Sequence, residues 1–103
     1  MQNVKIPTSD SYRPSKIERL KDPEYAAAYL TAILEEKEPE PELLARAIKD
    51  VVEAQMAINK FSQEDLLKWG KFEKILLESG GSEIYNLIAL LDVIGFKLTV
   101  TLK

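Results

Sequence analysis

The spacing of apolar residues predicts that most of this chain is helical. Downstream of Pro23, apolar side chains recur every three or four residues, which places them on one face of an α-helix. Asp22 is a favoured N-cap residue, Pro23 suits the first helical position, and Glu24 meets the positive end of the helix dipole. The pattern therefore predicts a helix from Pro23 to about Glu36.

A second long helix is expected after an acidic, proline-punctuated break. The break is Lys37–Pro41, and prolines at this spacing end one helix and precede the next. The helix should run from about Pro41 to Met56. Its predicted buried seam has one polar member and consists of Leu44, Ala47, Ile48, Val51, Val52 and Gln55.

The C-terminal region predicts one more helix and a short strand. Gly80 and Gly81 stop the preceding element, and Ser82 is expected to cap a very apolar helix over Glu83–Ile94. The run Phe96–Leu102 then alternates apolar and polar residues, which is a half-buried strand pattern. A lone strand cannot satisfy its own backbone, so it needs the N-terminal segment or the same strand of a second subunit as a partner.

The segment between these helices has two interpretations. In the first, Ile58–Glu64 and Lys68–Glu78 are two helices joined by a tight turn at Asp65–Leu67. In the second, Ser62 and Asp65 form a capping box that opens one continuous helix. No glycine occupies the proposed turn, so local signals favour the continuous helix.

Composition predicts a single domain with no catalytic chemistry. The chain has 103 residues and contains neither cysteine nor histidine, which removes thiol chemistry, the usual general base and the commonest metal ligand. No apolar run approaches the roughly 20 residues that a membrane-spanning helix needs. We therefore expect a cytoplasmic non-enzyme without a cofactor and without membrane association.

Charge is distributed unevenly along the chain. Residues 1–21 carry five basic and two acidic side chains, a balance of +3 within a net charge of −3, so the remaining 82 residues carry −6. We interpret residues 1–21 as a basic arm and residues 22–103 as the helical domain. The arm would either bind DNA or lie against an acidic face of its own fold. The sequence favours neither of these two roles.

Two blocks of the chain have a family-like pattern. The first block reads SYRP at 11–14 and IERLKDPEYAAAYLTAILEE at 17–36. The second comprises AIKDVVEA at 47–54 and LIALLDVIGFKLTV at 87–100. Together they resemble the HigA-like antitoxins, the antidote proteins of addiction modules, over roughly residues 11–100.

The resemblance implies an all-α fold of about five helices, of the Cro-like or lambda-repressor-like helix-turn-helix type, with a short C-terminal β-strand. Such antitoxins act as homodimers, bind a basic toxin of the RelE/HigB type, and bind operator DNA to repress their own operon. Carried over by spacing, the scaffold helix is Ile58–Glu64, the turn is Asp65–Leu67 and the recognition helix is Lys68–Leu77. The chain departs from the family pattern where DNA is read, because Leu66 replaces the turn glycine.

Candidate DNA-binding residues lie on and after the implied recognition helix. Lys68, Lys71 and Lys74 recur every three residues and share one flank of a helix, where they would neutralise phosphates. The alternative is a solvated face balanced by Glu73 and Glu78. The complete candidate set is Lys68, Trp69, Lys71, Lys74, Tyr85 and Asn86. Trp69 equally suits the core, and Tyr85 and Asn86 equally suit an ordinary surface.

Candidate partner-binding residues lie in the N-terminal half. The acidic run at 35–42 would complement a basic toxin, although solvated linkers have the same composition. The candidate set is Tyr25, Tyr29, Glu35, Glu36 and Glu38. The sequence thus predicts a DNA-binding antitoxin, with a protein-interaction module that has lost operator recognition as the alternative.

Overall fold

The computed structural model describes the backbone of residues 9–103 and the side chains from Pro14 onward. Over that range the fold is all-α, as predicted, and no residue is in a β-strand. The five helices are α1 (Ser9–Leu20), α2 (Pro23–Leu34), α3 (Leu43–Met56), α4 (Gln63–Ser79) and α5 (Ser82–Val93).

Helix α2 begins where the sequence predicts, for the predicted reason. The Asp22 carboxylate accepts a hydrogen bond from the Glu24 backbone N–H at 3.0 Å, and Pro23 follows as the first helical residue. The helix ends at Leu34, two residues before the predicted end, because Glu35 already closes the last turn with its backbone N–H. This end point leaves Glu35 and the acidic linker outside the helix.

Helix α3 is the centre of the fold and packs against α1, α2 and α4. Its buried face differs from the predicted seam. Leu44 and Ala47 are buried as expected, whereas Val51 is only half-buried and Asp50 is buried. Gln55, the polar member of the seam, donates to the backbone carbonyl of Leu20 at 3.0 Å, which satisfies the end of α1.

The core has two parts on either side of α3. One joins the end of α2, the start of α3, α4, α5 and the C-terminal segment around Leu34, Leu44 and Leu76. The other joins α1 to α2 and α3 around Leu20 and Ala54. Burial of these side chains supplies most of the stabilising free energy.

The second half of α1 belongs to this core, although the sequence assigns residues 1–21 to an arm. Leu20 is fully buried, and Lys16 lies 3.0 Å from the buried carboxylate of Asp50. Lys16 therefore lies against an acidic group of its own fold, one of the two roles considered for the basic segment. Residues 1–8 of the predicted arm lie outside the described residues.

The predicted turn at Asp65–Leu67 is wrong, because helix α4 runs without interruption from Gln63 to Ser79. Ser62 and Asp65 form the capping box: the Ser62 hydroxyl accepts from the Asp65 N–H and the Asp65 carboxylate accepts from the Ser62 N–H, both at 3.0 Å. The scaffold helix implied at Ile58–Glu64 is not formed: only Gln63 and Glu64 of it are helical, and they open α4, the helix that also contains the implied recognition helix. Local capping chemistry outweighs the family spacing here.

Gly80 and Gly81 set the sharp change of direction between α4 and α5. Both have left-handed backbone conformations, with φ of 67° and 78°. Gly81, rather than the predicted Ser82, is the N-cap residue of α5, and a Cβ there would lie 3.1 Å from the side chain of Leu44. This turn places Ile84 and Tyr85 against the core.

The predicted strand is not formed within the described chain. Phe96–Lys103 follows α5 without helix, turn or strand assignment. Leu98 and Val100 are nevertheless half-buried against the core, whereas Lys97, Thr99 and Thr101 are exposed. Buried and exposed residues therefore alternate along this segment as predicted, but within the described residues no second strand forms hydrogen bonds with it.

Candidate functional site

A cleft of about 610 Å³ lies between the end of α2, the acidic linker, α5 and the start of the C-terminal segment. One wall is formed by Glu35, Glu36, Lys37 and Pro39. The other is formed by residues that share α5 or follow it, namely Tyr85, Ile88, Ala89, Asp92, Phe96, Lys97 and Leu98. Leu34, buried in the core, completes the lining.

Two polar contacts hold the walls of this cleft together. The Tyr85 hydroxyl donates to the backbone carbonyl of Ile33 at 2.9 Å, which joins α5 to the last turn of α2. The Lys97 ammonium lies 2.6 Å from the carboxylate of Glu35, which joins the C-terminal segment to the same turn. Both contacts fix the position of the acidic linker relative to α5.

The cleft combines an apolar floor with charged rims. Ile88 and Leu98 are half-buried, while Glu36 and Asp92 are exposed acidic groups at the edges. Partial burial, and secondarily the negative charge of Glu36, raise the pKa of Tyr85. The phenol therefore stays protonated near neutral pH and keeps its hydrogen bond to α2.

The predicted partner-binding residues occupy two separate places. Glu35 and Glu36 line the cleft, and Glu38 is exposed in the same linker. Tyr25 and Tyr29 instead face α1: the Arg19 guanidinium lies 5.9 Å from the Tyr25 ring centre, and the Lys16 ammonium 5.1 Å from the Tyr29 ring centre. The acidic residues thus belong to the cleft, and the tyrosines to the α1–α2 packing.

The predicted lysine flank is exposed on α4. The side chains of Lys68, Lys71 and Lys74 form no salt bridge or hydrogen bond within residues 14–103, and the positive charge of Lys68 contributes to the lowered pKa of Asp65. Exposed apolar side chains are interleaved with the lysines, since helical geometry puts Leu67 between Lys71 and Lys74, and Ile75 between Lys68 and Lys71. Leu67 is 64% exposed and Ile75 is 53% exposed. The flank is therefore amphipathic.

The other predicted DNA-binding residues have different surroundings. Trp69 is half-buried on the side of α4 that carries the buried Leu76. Tyr85 has its hydroxyl committed to Ile33 and is half-buried, so it does not project towards an external phosphate. Asn86 is exposed on α5. The six candidates do not converge on one surface.

Sequence reasoning missed the contribution of α5 and the C-terminal segment to the cleft. It also missed that α5 has no fully buried residue and presents an apolar outer face of Leu87, Leu90, Val93 and Ile94, with Val93 81% exposed. The available signal was the composition of α5, which has apolar residues on all sides of a terminal helix. A helix of that kind needs contacts on more than one face.

No known protein family, curated protein or solved structure matches this chain. The resemblance to HigA-like antitoxins therefore rests on the sequence blocks quoted above. No helix in residues 9–103 combines the length and apolar character needed to cross a membrane. Within the same residues, no group of three acidic, histidine or cysteine side chains is placed to hold a metal ion.

Proposed function

We propose that this protein is a cytoplasmic, non-enzymatic interaction module of antitoxin type that binds a basic RelE/HigB-like toxin. The observation that carries this proposal is the cleft whose rim contains the two acidic residues Glu35 and Glu36 and whose floor is apolar. The resemblance to HigA-like antitoxins supplies the class of partner. This proposal corresponds to the protein-interaction alternative raised by the sequence.

Charge and shape both support a basic, amphipathic partner segment. Residues 35–42 contain five glutamates and one lysine. Lys97 pairs with Glu35, and Arg46 lies 3.8 Å from both Glu40 and Glu42, so the local balance is −2 and still attracts a positively charged surface. The half-buried Ile88 and Leu98 supply a floor on which apolar side chains of such a segment would be desolvated. We expect the charges to guide encounter and the floor to provide most of the affinity.

Charge reversal at the rim tests the proposal. The protein and the product of an adjacent small, basic reading frame are co-expressed, and the complex is captured through a tag on this chain. Glu36→Lys plus Glu38→Lys should reduce the amount of captured partner at least tenfold. Glu73→Lys plus Glu78→Lys changes the net charge equally on α4 and should leave capture unchanged. Equal capture by both variants, or no interaction with wild-type protein, contradicts the proposal.

Binding to operator DNA is the second candidate function. The three exposed lysines of α4, which have no ion-pair partner in the described part of the chain, favour it. A helix-turn-helix of the Cro-like type would have to use α3 and α4, with the connection at 57–62 as its turn, because α4 is continuous. The exposed Leu67 and Ile75 between the lysines argue against phosphate contact as the main role of this flank.

A gel-shift titration separates the two candidates. Wild-type protein is compared on its own upstream DNA and on a scrambled probe, at two salt concentrations. Lys71→Glu plus Lys74→Glu is the test variant, and Lys49→Glu plus Lys103→Glu is the control with the same change of charge. Specific, salt-sensitive retardation that only the α4 variant abolishes supports the DNA function. If the protein binds the upstream DNA and the scrambled probe equally, the proposal of operator binding is contradicted.

We include a homodimer in the proposed function. A second copy would provide the neighbouring strand that Phe96–Leu102 lacks within residues 9–103.

A further inference from the structure

Val100 in the C-terminal segment presents both of its backbone polar groups to one side chain of α2. Its backbone N–H donates to the Thr31 hydroxyl oxygen at 2.9 Å, and the same hydroxyl lies 3.3 Å from the Val100 carbonyl oxygen. Both backbone polar groups of Val100 thus point towards α2. In a β-strand the N–H and C=O of one residue lie on the same edge, and those of its neighbours lie on the opposite edge.

The opposite edge of the segment is open. In a regular strand through Val100, the backbone groups of Lys97, Thr99 and Thr101 would lie on the edge that faces away from α2. Within the described part of the chain, these backbone groups have no hydrogen-bond partner, and all three residues are exposed. An edge with regularly spaced free donors and acceptors is a template for another strand.

We propose that two copies of this chain pair through this edge as antiparallel strands, with Thr99 opposite Thr99 of the second copy. The inference rests on the homodimer of the proposed function and specifies its geometry. Lys97, Thr99 and Thr101 then form the hydrogen-bonded pairs, each exchanging both of its backbone groups across the two-fold axis.

The sequence is self-complementary in this register. On one face Phe96 meets Leu102 of the second copy and Leu98 meets Val100, so every cross-strand pair is apolar. On the other face Thr99 meets Thr99, and Lys97 meets Thr101 rather than another lysine. The other centres on the open edge are less favourable. A centre at Lys97 would oppose two copies of Lys97, and a centre at Thr101 would pair Leu102 with Val100 and leave Phe96 without its contact to Leu102.

The two ends of the proposed strand carry exposed apolar side chains, and burying them would stabilise the strand pair. A two-stranded ribbon is marginally stable in water by itself. Phe96 is 63% exposed and Leu102 is 51% exposed, and both lie within the proposed pair. In the dimer, Phe96 of one copy would pack on Leu102 of the other. This contact would bury apolar surface that is exposed in the single chain.

Single cysteines test the register directly, because the chain has none of its own. Thr99→Cys should form a disulfide-linked dimer under mild oxidation, since the two Cα atoms would lie about 5.5 Å apart, within disulfide range. Thr101→Cys should not link to itself, because its two copies would be about 14 Å apart along the strands. A mixture of Lys97→Cys and Thr101→Cys proteins should yield the mixed dimer.

Sedimentation equilibrium separates the register from the dimer itself. Thr99→Pro removes the central N–H on the open edge and should weaken dimerisation at least tenfold, whereas Thr99→Val keeps that N–H and should not. The proposed register is contradicted if the protein is a dimer but Thr99→Cys does not cross-link, or if Thr101→Cys cross-links equally well. Either result is still compatible with a homodimer of another geometry. A monomeric wild-type protein overturns both the register and the homodimer.

Discussion

The Lys16 ammonium lies 3.0 Å from the Asp50 carboxylate, and this pair joins α1 to the central helix α3. Asp50 is 6% exposed, so its carboxylate has little contact with water and needs polar partners within the fold. Partial burial alone lowers the pKa of Lys16, but hydrogen bonding to Tyr29 and Asp50 outweighs it, and the net pKa is raised. The amine of Lys16 is therefore protonated at neutral pH.

Removing this lysine should destabilise the protein. Lys16→Met takes the ammonium away from a buried carboxylate, and we expect a loss of about 1–3 kcal/mol in the free energy of unfolding. Lys21→Met removes an ammonium from an exposed pair with Glu18 and should cost less than about 0.5 kcal/mol. Urea unfolding of both variants measures the difference. Equal midpoints would contradict a structural role for Lys16.

The capping box predicts how the start of α4 responds to substitution and to acid. Ser62→Ala should cost about 1 kcal/mol, since the Asp65 N–H loses its acceptor, whereas Gln63→Ala should be nearly neutral. Hydrogen bonds from the backbone and side chain of Ser62 lower the pKa of Asp65. The cap is thus fully formed above the ordinary pKa of 3.8 and is lost as pH falls through the lowered value. Amide exchange at Leu66 against pH measures it, and a rate independent of Ser62 would exclude the cap.

Two glycines of the second half should respond oppositely to alanine. Gly70 is inside α4 with no atom near the position of a Cβ, so Gly70→Ala should stabilise the protein by about 1 kcal/mol. Gly81 has φ of 78° and closely approaches Leu44, so Gly81→Ala should destabilise by about 1–2 kcal/mol. Thermal unfolding of both variants measures these shifts. A destabilising Gly70→Ala would contradict a continuous α4.

The hydrogen bond from Tyr85 to Ile33 predicts a dependence on alkaline pH. Tyr85→Phe should cost about 1 kcal/mol at neutral pH, whereas Tyr25→Phe should cost little. Because the folded state raises the pKa of Tyr85, its contribution is complete below the ordinary value of 10.0 and is lost as pH rises through the raised value. Stability measured from pH 8 upwards should fall less steeply in Tyr85→Phe than in wild type. Parallel profiles would contradict this assignment.

Local sequence signals predicted α2, α3 and α5 and favoured a continuous α4, because caps and apolar spacing act over a few residues, whereas α1 lies in the segment interpreted as a basic arm. The Asp22 N-cap and the Ser62–Asp65 capping box correctly set the starts of α2 and α4. The implied turn at Asp65–Leu67 was wrong because it came from family spacing, while the local capping signal opposed it. Short-range capping chemistry thus sets the starts of α2 and α4.

The candidate site was predicted only in part, because it depends on distant contacts. The acidity of Glu35 and Glu36 indicated a partner-binding region, but their position beside α5 follows from Tyr85 reaching Ile33, 52 residues away. The burial of Asp50 could not be predicted from α3 alone, since its partner Lys16 is on α1. The site arises from how α2, α5 and the C-terminal segment pack together.

The most direct test of the proposed function is a titration of isotope-labelled protein with the basic partner, followed by amide chemical shifts. We predict that the largest changes fall on Glu36, Ile88, Ala89 and Leu98 around the cleft, and that Glu36→Lys plus Glu38→Lys suppresses them. Changes confined to Lys68–Lys74 on α4, or no changes at saturating partner, would contradict the cleft as the binding site.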